Sequence, residues 1–187
     1  MSMKTEGSTV SFPSNISKEP SFEGSCGCII LLMNLFDLFR KKKVYQGTVV
    51  DLKERYRLSE ETAYDGVPVV YYDILRHEDQ EKVGTIDLRL TVEGDMYYYG
   101  NVGYNVSRIH RGHGYAYEAC LLLFEIARKE FGMRELIITC SPENIASYKT
   151  LKKLGGELLE LVEVPKEHML YSIGEKTKYI FRYRIGL

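Results

Sequence analysis

Residues 103–119 read GYNVSRIHRGHGYAYEA, and this stretch decides how the rest of the chain is organised. It begins at the end of a predicted strand, passes through a loop at Arg111-Gly112-His113-Gly114, and continues with the 3.6-residue periodicity of a helix. Glycines let a backbone approach a ligand closely, and the first N–H groups of a helix have no partner inside it. A strand, a glycine loop and a helix in this order therefore predict a binding site for an anion such as phosphate.

A glycine loop alone also has a plainer interpretation, namely a turn that only starts a helix. The loop lacks the Gly-Lys-Ser/Thr ending of a nucleotide-triphosphate P-loop, and its G-x-G-x-x-G dinucleotide pattern is incomplete. The motif fits neither of these nucleotide-binding classes and needs support from other parts of the chain.

Upstream of the loop, four runs rich in Val, Ile, Tyr and Thr predict four strands. They cover residues 46–56, 67–76, 82–91 and 97–106. Turn signals such as Glu93-Gly94-Asp95 separate them. Neighbouring strands with short connections favour an antiparallel meander.

Downstream, the pattern alternates between helix and strand. An apolar stripe over 116–127 predicts a helix that ends at Gly132, and a short apolar strand follows over 135–140. Ser141-Pro142 then predicts the start of a second helix, which stops at Gly155.

Two further runs, 157–164 and 177–185, supply the last predicted strands. The strand ending at Val106 is linked through a helix to the strand starting near Glu135, which predicts a parallel crossover. The sequence therefore predicts an α/β (α+β) fold. Its sheet is mixed, mostly antiparallel, of about seven strands flanked by helices, with one parallel crossover.

The first part of the chain has a different character. Residues 1–25 are rich in Ser and show no periodicity, whereas apolar side chains recur at helical spacing over 28–42. We therefore predict an arm plus an amphipathic helix over 1–43 and a single domain over 44–187. The apolar run at 29–39 is too short to span a bilayer, and its basic cluster follows it, unlike the charge of a secretory signal.

The charge balance and the cysteines limit which functions the sequence allows. The chain has 25 basic and 26 acidic side chains and a formal net charge of −1, so nothing global draws it to nucleic acid or to a membrane surface. The four cysteines show neither a disulfide framework nor metal-ligand spacing, and no metal site is predicted. Cys120 and Cys140 lie in apolar stretches and are predicted to be free and buried. A reducing, cytoplasmic compartment fits this usage.

Several segments resemble successive landmarks of the GNAT superfamily of N-acetyltransferases. They are GYNV at 103–106, RGHGYAYEA at 111–119, NIAS at 144–147 and LGG at 154–156. The glycine loop and the Asn-x-x-Ser helix are similar to the branch that contains the ribosomal-protein N-acetyltransferases and their uncharacterised relatives. The resemblance covers about residues 97–157, and two landmarks at the right separation are more specific than either alone.

The resemblance implies a GNAT fold, acetyl-CoA as cosubstrate and no metal. The implied cofactor-binding residues are Tyr104, Asn105, Val106, Arg111, Gly112, His113, Gly114, Tyr115, Ala116, Asn144 and Ser147. The backbone of the loop would bind the pyrophosphate, the strand edge would pair with the pantetheine arm, and the second helix would contact that arm. A backbone N–H near Asn105 would polarise the acyl carbonyl.

Two positions depart from the family pattern. Many members place a Tyr seven residues after the Asn of the second helix, as the acid for the leaving thiolate, where this chain has Leu151. Tyr148 lies one turn earlier on a similar face and is the predicted acid, with a half-buried packing role as its alternative. Some members carry a carboxylate where this chain has Asn101. A water-relayed base from Asp73, Asp87 or a Tyr stays open.

The resemblance implies an acetyl-CoA-dependent N-acetyltransferase in which a primary amine attacks the thioester directly in a ternary complex. Deprotonating a lysine-like amine at pH 7 costs roughly 4.6 kcal/mol, against about 1 to 1.4 kcal/mol for an α-amine. A site without an evident base therefore favours the α-amine of a small molecule or peptide. The alternative is a non-catalytic acyl-CoA-binding or sensing module, motivated by Leu151 and Asn101. The sequence does not identify the acceptor amine, and a homodimer is compatible with it.

Overall fold

The computed structural model describes residues 42–63 and 66–186. The predicted amphipathic helix at 28–42 lies outside these ranges except for its last residue, and so does nearly all of the segment 1–43. The division into an N-terminal segment and a domain over 44–187 therefore stays a prediction.

Five strands form one antiparallel sheet in chain order. They are β1 (Val44–Tyr45), β2 (Val50–Leu58), β3 (Val69–Arg76), β4 (Lys82–Arg89) and β5 (Val102–Val106). Each strand pairs with the next one along the chain, which confirms the predicted meander.

Three strands form a second antiparallel sheet. Its order is β6 (Glu135–Cys140), β8 (Thr177–Arg184) and β7 (Glu157–Glu163). Helix α1 (Tyr115–Phe131) precedes β6, α2 (Ile145–Lys153) follows it, and the short α3 (Met169–Ser172) precedes β8. The predicted α/β class, mostly antiparallel and flanked by helices, is confirmed. In the described ranges eight strands form two antiparallel sheets, where one mixed sheet of about seven strands was predicted.

Helix α1 packs its apolar stripe into the core. Its fully buried side chains are Ala119, Cys120, Leu123 and Ala127. Alternate residues of the strands face the same side of a sheet, and the first sheet supplies partners such as Tyr72, Ile74, Ile86 and Leu88, which are also fully buried. Cys120 and Cys140 are free and buried, which confirms their predicted role as small apolar side chains.

The two sheets meet where the chain just before β5 lies against the middle of β6. Gly100 and Ile138 form an isolated bridge, and the Asn101 amide donates to the Ile137 carbonyl at 2.7 Å. The Asn101 side chain, only 3% exposed, donates to the Arg89 carbonyl at 2.9 Å and accepts from the Ile137 amide at 2.7 Å. Farther along, β5 and β6 share no ladder among the described residues, so an opening forms between them. The predicted connection from β5 through α1 to β6 is present and frames this opening, but its predicted parallel pairing is not, because every ladder in the described ranges is antiparallel.

Alanine at position 101 is expected to lower the free energy of unfolding by about 2–4 kcal/mol. Two buried backbone groups would lose their partners, and each unsatisfied group costs about 1–3 kcal/mol. Chemical denaturation followed by circular dichroism measures the change. Asn105 is exposed on the same strand, and its alanine variant should stay within about 0.5 kcal/mol of wild type. Equal stability of the two variants would contradict the role of Asn101 at the junction.

The predicted strand over 97–106 is wrong in its first half. Gly94–Tyr98 is a 3-10 helix, and β5 begins only at Val102. Gly100 has a φ of 72°, and an ideal Cβ there would lie 2.8 Å from the Ile137 carbonyl oxygen. This left-handed residue interrupts the extended chain, so the three tyrosines before it do not alternate across a strand.

Two other predicted boundaries are corrected. Residues 46–49 belong to a turn between β1 and β2, where the Gly47 amide donates to the buried carboxylate of Asp51 at 3.0 Å. Asn144 rather than Ser141 is the N-cap of α2, because the Asn144 amide bonds back to the Ser141 carbonyl at 2.9 Å and closes a turn first.

Candidate functional site

A cleft of about 510 Å³ opens between the C-terminal end of β5, the glycine loop and helix α2. The structure brings together there all the residues that were predicted to bind the cofactor, with the exception of His113. The lining residues are Tyr104, Asn105, Val106, His110, Arg111, Gly112, Gly114, Tyr115, Ala116, Tyr117, Asn144, Ala146, Ser147, Lys149 and Thr150.

The glycine loop gives the cleft an end that suits an anion. Gly114 has a φ of 80° and is the N-cap of α1, and no side chain caps this helix. The helix dipole adds partial positive charge where the first N–H groups point outward. An ideal Cβ on Gly112 or Gly114 would meet no atom within 4 Å, so the backbone here is open to a ligand. These features fit a pyrophosphate group.

The N-terminus of α2 is closed by its own side chain. The Asn144 carboxamide oxygen accepts the Ser147 amide at 3.1 Å. This oxygen is therefore engaged by the helix, whereas the NH₂ group of the same side chain has no such role in the cap. A contact between Asn144 and a ligand stays a prediction, and the NH₂ group is the part suited to it.

Strand β5 presents an edge to the cleft. It is the last strand of its sheet, so one edge has no strand partner in the described part of the chain. Such an edge offers N–H and C=O groups to an extended ligand. The Arg111 side chain donates from Nε to the Val106 carbonyl at 3.0 Å, which fixes its guanidinium group at the end of this strand.

Tyr104 brings a phenol into the cleft. Its hydroxyl and that of Ser147 are hydrogen-bonded at 2.8 Å. Burial raises the pKa of Tyr104 to about 12, and burial likewise raises the pKa of the nearby Cys140 thiol to about 11. Both groups stay protonated at neutral pH, so the Tyr104–Ser147 pair is a neutral hydrogen-bond donor.

The predicted acid, Tyr148, is not among the lining residues of this cleft. Its half-buried ring packs against the rings of Tyr179 and Phe181 on β8, with centroids 5.0 and 5.9 Å away. Leu151, at the position where many relatives have their acid, is fully buried, and its carbonyl accepts the Tyr183 hydroxyl at 2.8 Å. The packing fits the structural alternative for Tyr148, and its catalytic role stays a prediction.

Sequence analysis missed several residues of the cleft. Thr150 lies three residues after Ser147 on the same helical face, a spacing that could have identified it. Lys149 is exposed at the cleft and, with Arg111, places two cations near the uncapped helix. His110 lines the cleft, and its Nε2 lies 3.4 Å from the Glu81 carboxylate, a contact that no local pattern indicates.

The side chain of His113 bonds within its own loop. Its Nδ1 lies 3.2 and 3.1 Å from the carbonyl oxygens of His110 and Arg111, and its ring stacks on Tyr115 at 5.5 Å. This side chain stabilises the glycine loop. A contribution of its backbone to ligand binding stays a prediction.

The described ranges contain neither a metal-ligand cluster nor a membrane-spanning helix. No group of three or more His, Cys, Asp or Glu side chains there is placed to hold a metal ion. Of the helices in the same ranges, none is long and apolar enough to cross a bilayer.

Comparison with known proteins gives a family match. Residues 36–157, well over half of the chain, match the family model described as Acetyltransferase (GNAT) domain. The uncharacterized N-acetyltransferase YnaD of Bacillus subtilis is 37% identical over 62 residues, which are 31% of this chain and 36% of that protein. The match thus spans about a third of the length of this curated relative.

Solved structures share the fold at low sequence identity. A proposed ribosomal-protein-serine acetyltransferase from Vibrio cholerae aligns with a TM-score of 0.56 and 15% identity, over 76% of this chain and 97% of that one. A ribosomal L7/L12 alpha-N-protein acetyltransferase in complex with coenzyme A aligns with a TM-score of 0.56 and 12% identity, over 76% of this chain and 98% of that one. A GNAT-family acetyltransferase from Bacillus anthracis aligns with a TM-score of 0.51 and 21% identity, over 62% of this chain and 66% of that one.

Proposed function

Since the chain belongs to the GNAT acetyltransferase family, we propose that this acyltransferase moves the acetyl group of acetyl-CoA to a primary amine by direct attack in a ternary complex. The proposal rests on one observation above all. The uncapped N-terminus of α1 and the free edge of β5 meet in a single cleft beside the opening between the two sheets.

The cleft offers a partner for each part of acetyl-CoA. In this proposal the amides of 111–116 bind the pyrophosphate, and Arg111 and Lys149 add positive charge. The edge of 104–106 pairs with the pantetheine arm, and the amide nitrogen of Asn144 contacts it from α2. The cosubstrate supplies an acyl group that is activated as a thioester.

The acyl oxygen needs a hydrogen-bond donor as negative charge develops on it. We assign this role to a backbone N–H near Asn105, on the edge of β5 that faces the opening. A fixed donor of this kind is worth about 2.7–4 kcal/mol in enzymes where it has been removed. It requires no reorganisation during the reaction, because the strand already holds it.

The leaving sulfur also needs a hydrogen-bond donor. Tyr104 is better placed for this role than Tyr148. An ordinary thiol has a pKa of about 8.5, whereas that of Tyr104 is raised by burial to about 12. Full proton transfer from Tyr104 to the thiolate would therefore be unfavourable by roughly 5 kcal/mol. Tyr104 stabilises the thiolate by donating a hydrogen bond, and the sulfur takes its proton from solvent.

Phenylalanine substitutions test the roles of the two tyrosines separately. Tyr104→Phe is expected to lower kcat by about 10- to 100-fold, because a hydrogen bond to a charged group contributes about 1.5–3 kcal/mol. Tyr148→Phe keeps the ring packing on β8 and is expected to retain kcat. Steady-state kinetics with saturating acetyl-CoA measure both. A loss confined to Tyr148→Phe would instead support the acid that the sequence predicts.

Release of coenzyme A from acetyl-CoA, followed with and without a primary amine, tests the function. The rate is expected to rise with amine concentration to saturation, and mass spectrometry should find one acetylated amine for each coenzyme A released. Acetyl-CoA binding without amine-dependent release would contradict the proposal and favour a non-catalytic acyl-CoA-binding module.

A further inference from the structure

The sheet face opposite helix α1 carries a carboxylate that the proposed reaction does not yet use. Asp87 lies in the middle of β4, opposite Tyr71 on β3 and Gly103 on β5. Its chain neighbours Ile86 and Leu88 are fully buried in the core that α1 shares. Because successive side chains of a strand alternate, Asp87 points to the other face.

Asp87 extends over β5 because residue 103 is a glycine. An ideal Cβ on Gly103 would lie 2.7 and 3.1 Å from the two carboxylate oxygens of Asp87, so a larger residue would displace them. Strand β5 borders the opening between the sheets, and the next residue, Tyr104, lines the cofactor cleft. The carboxylate therefore lies beside the strand that separates this face from the cleft.

The carboxylate of Asp87 is largely removed from water, and its negative charge is only partly balanced by neighbouring groups. Oδ2 is buried without an aligned hydrogen bond, although the Arg89 guanidinium lies 3.1 Å away. Burial raises the pKa of Asp87, and the charge of Arg89 offsets part of that rise. The side chain remains 17% exposed, so this face gives access to it. A carboxylate in such surroundings is a stronger base than one in water.

The other titratable groups described on this face differ from Asp87. Asp73 on β3 lies 2.6 Å from the Lys82 ammonium and 3.4 Å from Arg55, so two cations compensate its charge. Tyr71 lies directly across from Asp87 and carries a phenol rather than a carboxylate. Of the two strand carboxylates, Asp87, with Arg89 as its one ion-pair partner in the described part of the chain, is a better proton acceptor than Asp73.

A second cleft, of about 400 Å³, opens on the same face. It is lined by Tyr71, which lies opposite Asp87 on β3, and by Arg89, which lies two residues after Asp87 on the same face of β4. Tyr99 and His168 also line it. Its other lining side chains are apolar except for those of Asp95 and Glu167. An acceptor bound in this cleft would approach Asp87 past its neighbours Tyr71 and Arg89, from the side opposite the cofactor cleft.

Building on the proposed acetyl transfer, we propose that Asp87 is the catalytic base, which takes the proton from an amine that enters through the second cleft. The amine nitrogen bonds to the acyl carbon, and the carbon–sulfur bond breaks with its electron pair on sulfur. The proton lost by nitrogen passes to Asp87 and then to solvent, while sulfur takes a proton from solvent.

The test compares Asp87→Asn with the wild-type chain, using acetyl-CoA and three probe amines: phenethylamine, putrescine and a short peptide with a free N-terminus. For the fastest amine, kcat is expected to fall at least about 100-fold. Calorimetry should show unchanged affinity for coenzyme A, which also verifies folding. The decline of wild-type kcat at acid pH should disappear in Asp87→Asn. Asp73→Asn, on the same face, is the matched control and should keep the wild-type kcat and pH profile.

Two further measurements support the comparison. Gly103→Ala should reproduce part of the loss in kcat, because it displaces the carboxylate without removing it. A carbon-13 NMR titration of the free protein should find Asp87 titrating above the ordinary Asp value of about 3.9. Wild-type kcat in Asp87→Asn would overturn the assignment of Asp87. Wild-type protein that acetylates none of the three amines would instead overturn the proposed function, and this inference with it.

Discussion

The substitution Gly114→Glu is expected to weaken acetyl-CoA binding by about 100-fold or more, which corresponds to about 2.8 kcal/mol of binding free energy. Gly114 caps α1 and lines the cleft, and a side chain there would project into space that is free of protein atoms. A carboxylate in that space would repel the pyrophosphate and cover the amides that bind it. Calorimetric titration of the variant with acetyl-CoA measures the loss.

Gly132→Glu is the matched control for this loss. Gly132 caps the other end of α1, also has a left-handed φ, of 65°, and also has no atom within 4 Å of an ideal Cβ. Both variants therefore carry a similar backbone strain of about 1–2 kcal/mol. The helix dipole favours a carboxylate at position 114 and disfavours one at 132, so the control should be the less stable variant. Equal loss of binding in both would show that strain, and not the phosphate site, is responsible.

Alanine in place of Leu151 is expected to lower the free energy of unfolding by about 2–5 kcal/mol. Leu151 is fully buried in the core beneath α2, where its removal leaves a cavity. The loss is a large fraction of the roughly 5–15 kcal/mol that stabilise a typical domain. Urea denaturation monitored by circular dichroism measures it.

Ile145→Ala is the control on the same helix. Ile145 lies in the first turn of α2 and is 57% exposed, so its alanine variant should stay within about 0.5 kcal/mol of wild type. A small effect at both positions would contradict the assignment of Leu151 to the core. Leu151 would then be open to a role in the cleft.

The glycine loop could be predicted from sequence because its conformation depends on local backbone chemistry. Gly112 and Gly114 both adopt left-handed φ values, of 87° and 80°, which few other residues tolerate. The helix that follows is fixed by its own periodicity, and Gly132 ends it as predicted. The end of the cleft that suits an anion therefore follows from one continuous stretch of chain.

The roles proposed for Tyr104 and Asp87 could not be singled out from sequence in the same way, because they depend on contacts between distant segments. The bond between Tyr104 and Ser147 joins β5 to α2. The position of Asp87 over Gly103 depends on strand register, and a shift of one residue would turn Asp87 to the opposite face. Sequence alone leaves such pairings open.

The division into two sheets also escaped prediction. Asn101 resembles a strand residue in sequence, and only the fold shows its side chain bonded to both β4 and β6. The strand predicted over 97–106 ignored Gly100, whose left-handed conformation ends the preceding 3-10 helix region and lets β5 start afresh. Alternating Val, Tyr and Ile patterns identify strands, but they do not reveal where two strands diverge.

A crystal structure of the protein with coenzyme A would locate each part of the ligand in the proposed site. We expect the pyrophosphate on the amides of residues 111–116, the pantetheine arm along the edge of β5, and the sulfur within hydrogen-bond distance of the Tyr104 hydroxyl. Coenzyme A bound away from the N-terminus of α1, or absent from the cleft at saturating concentration, would contradict it.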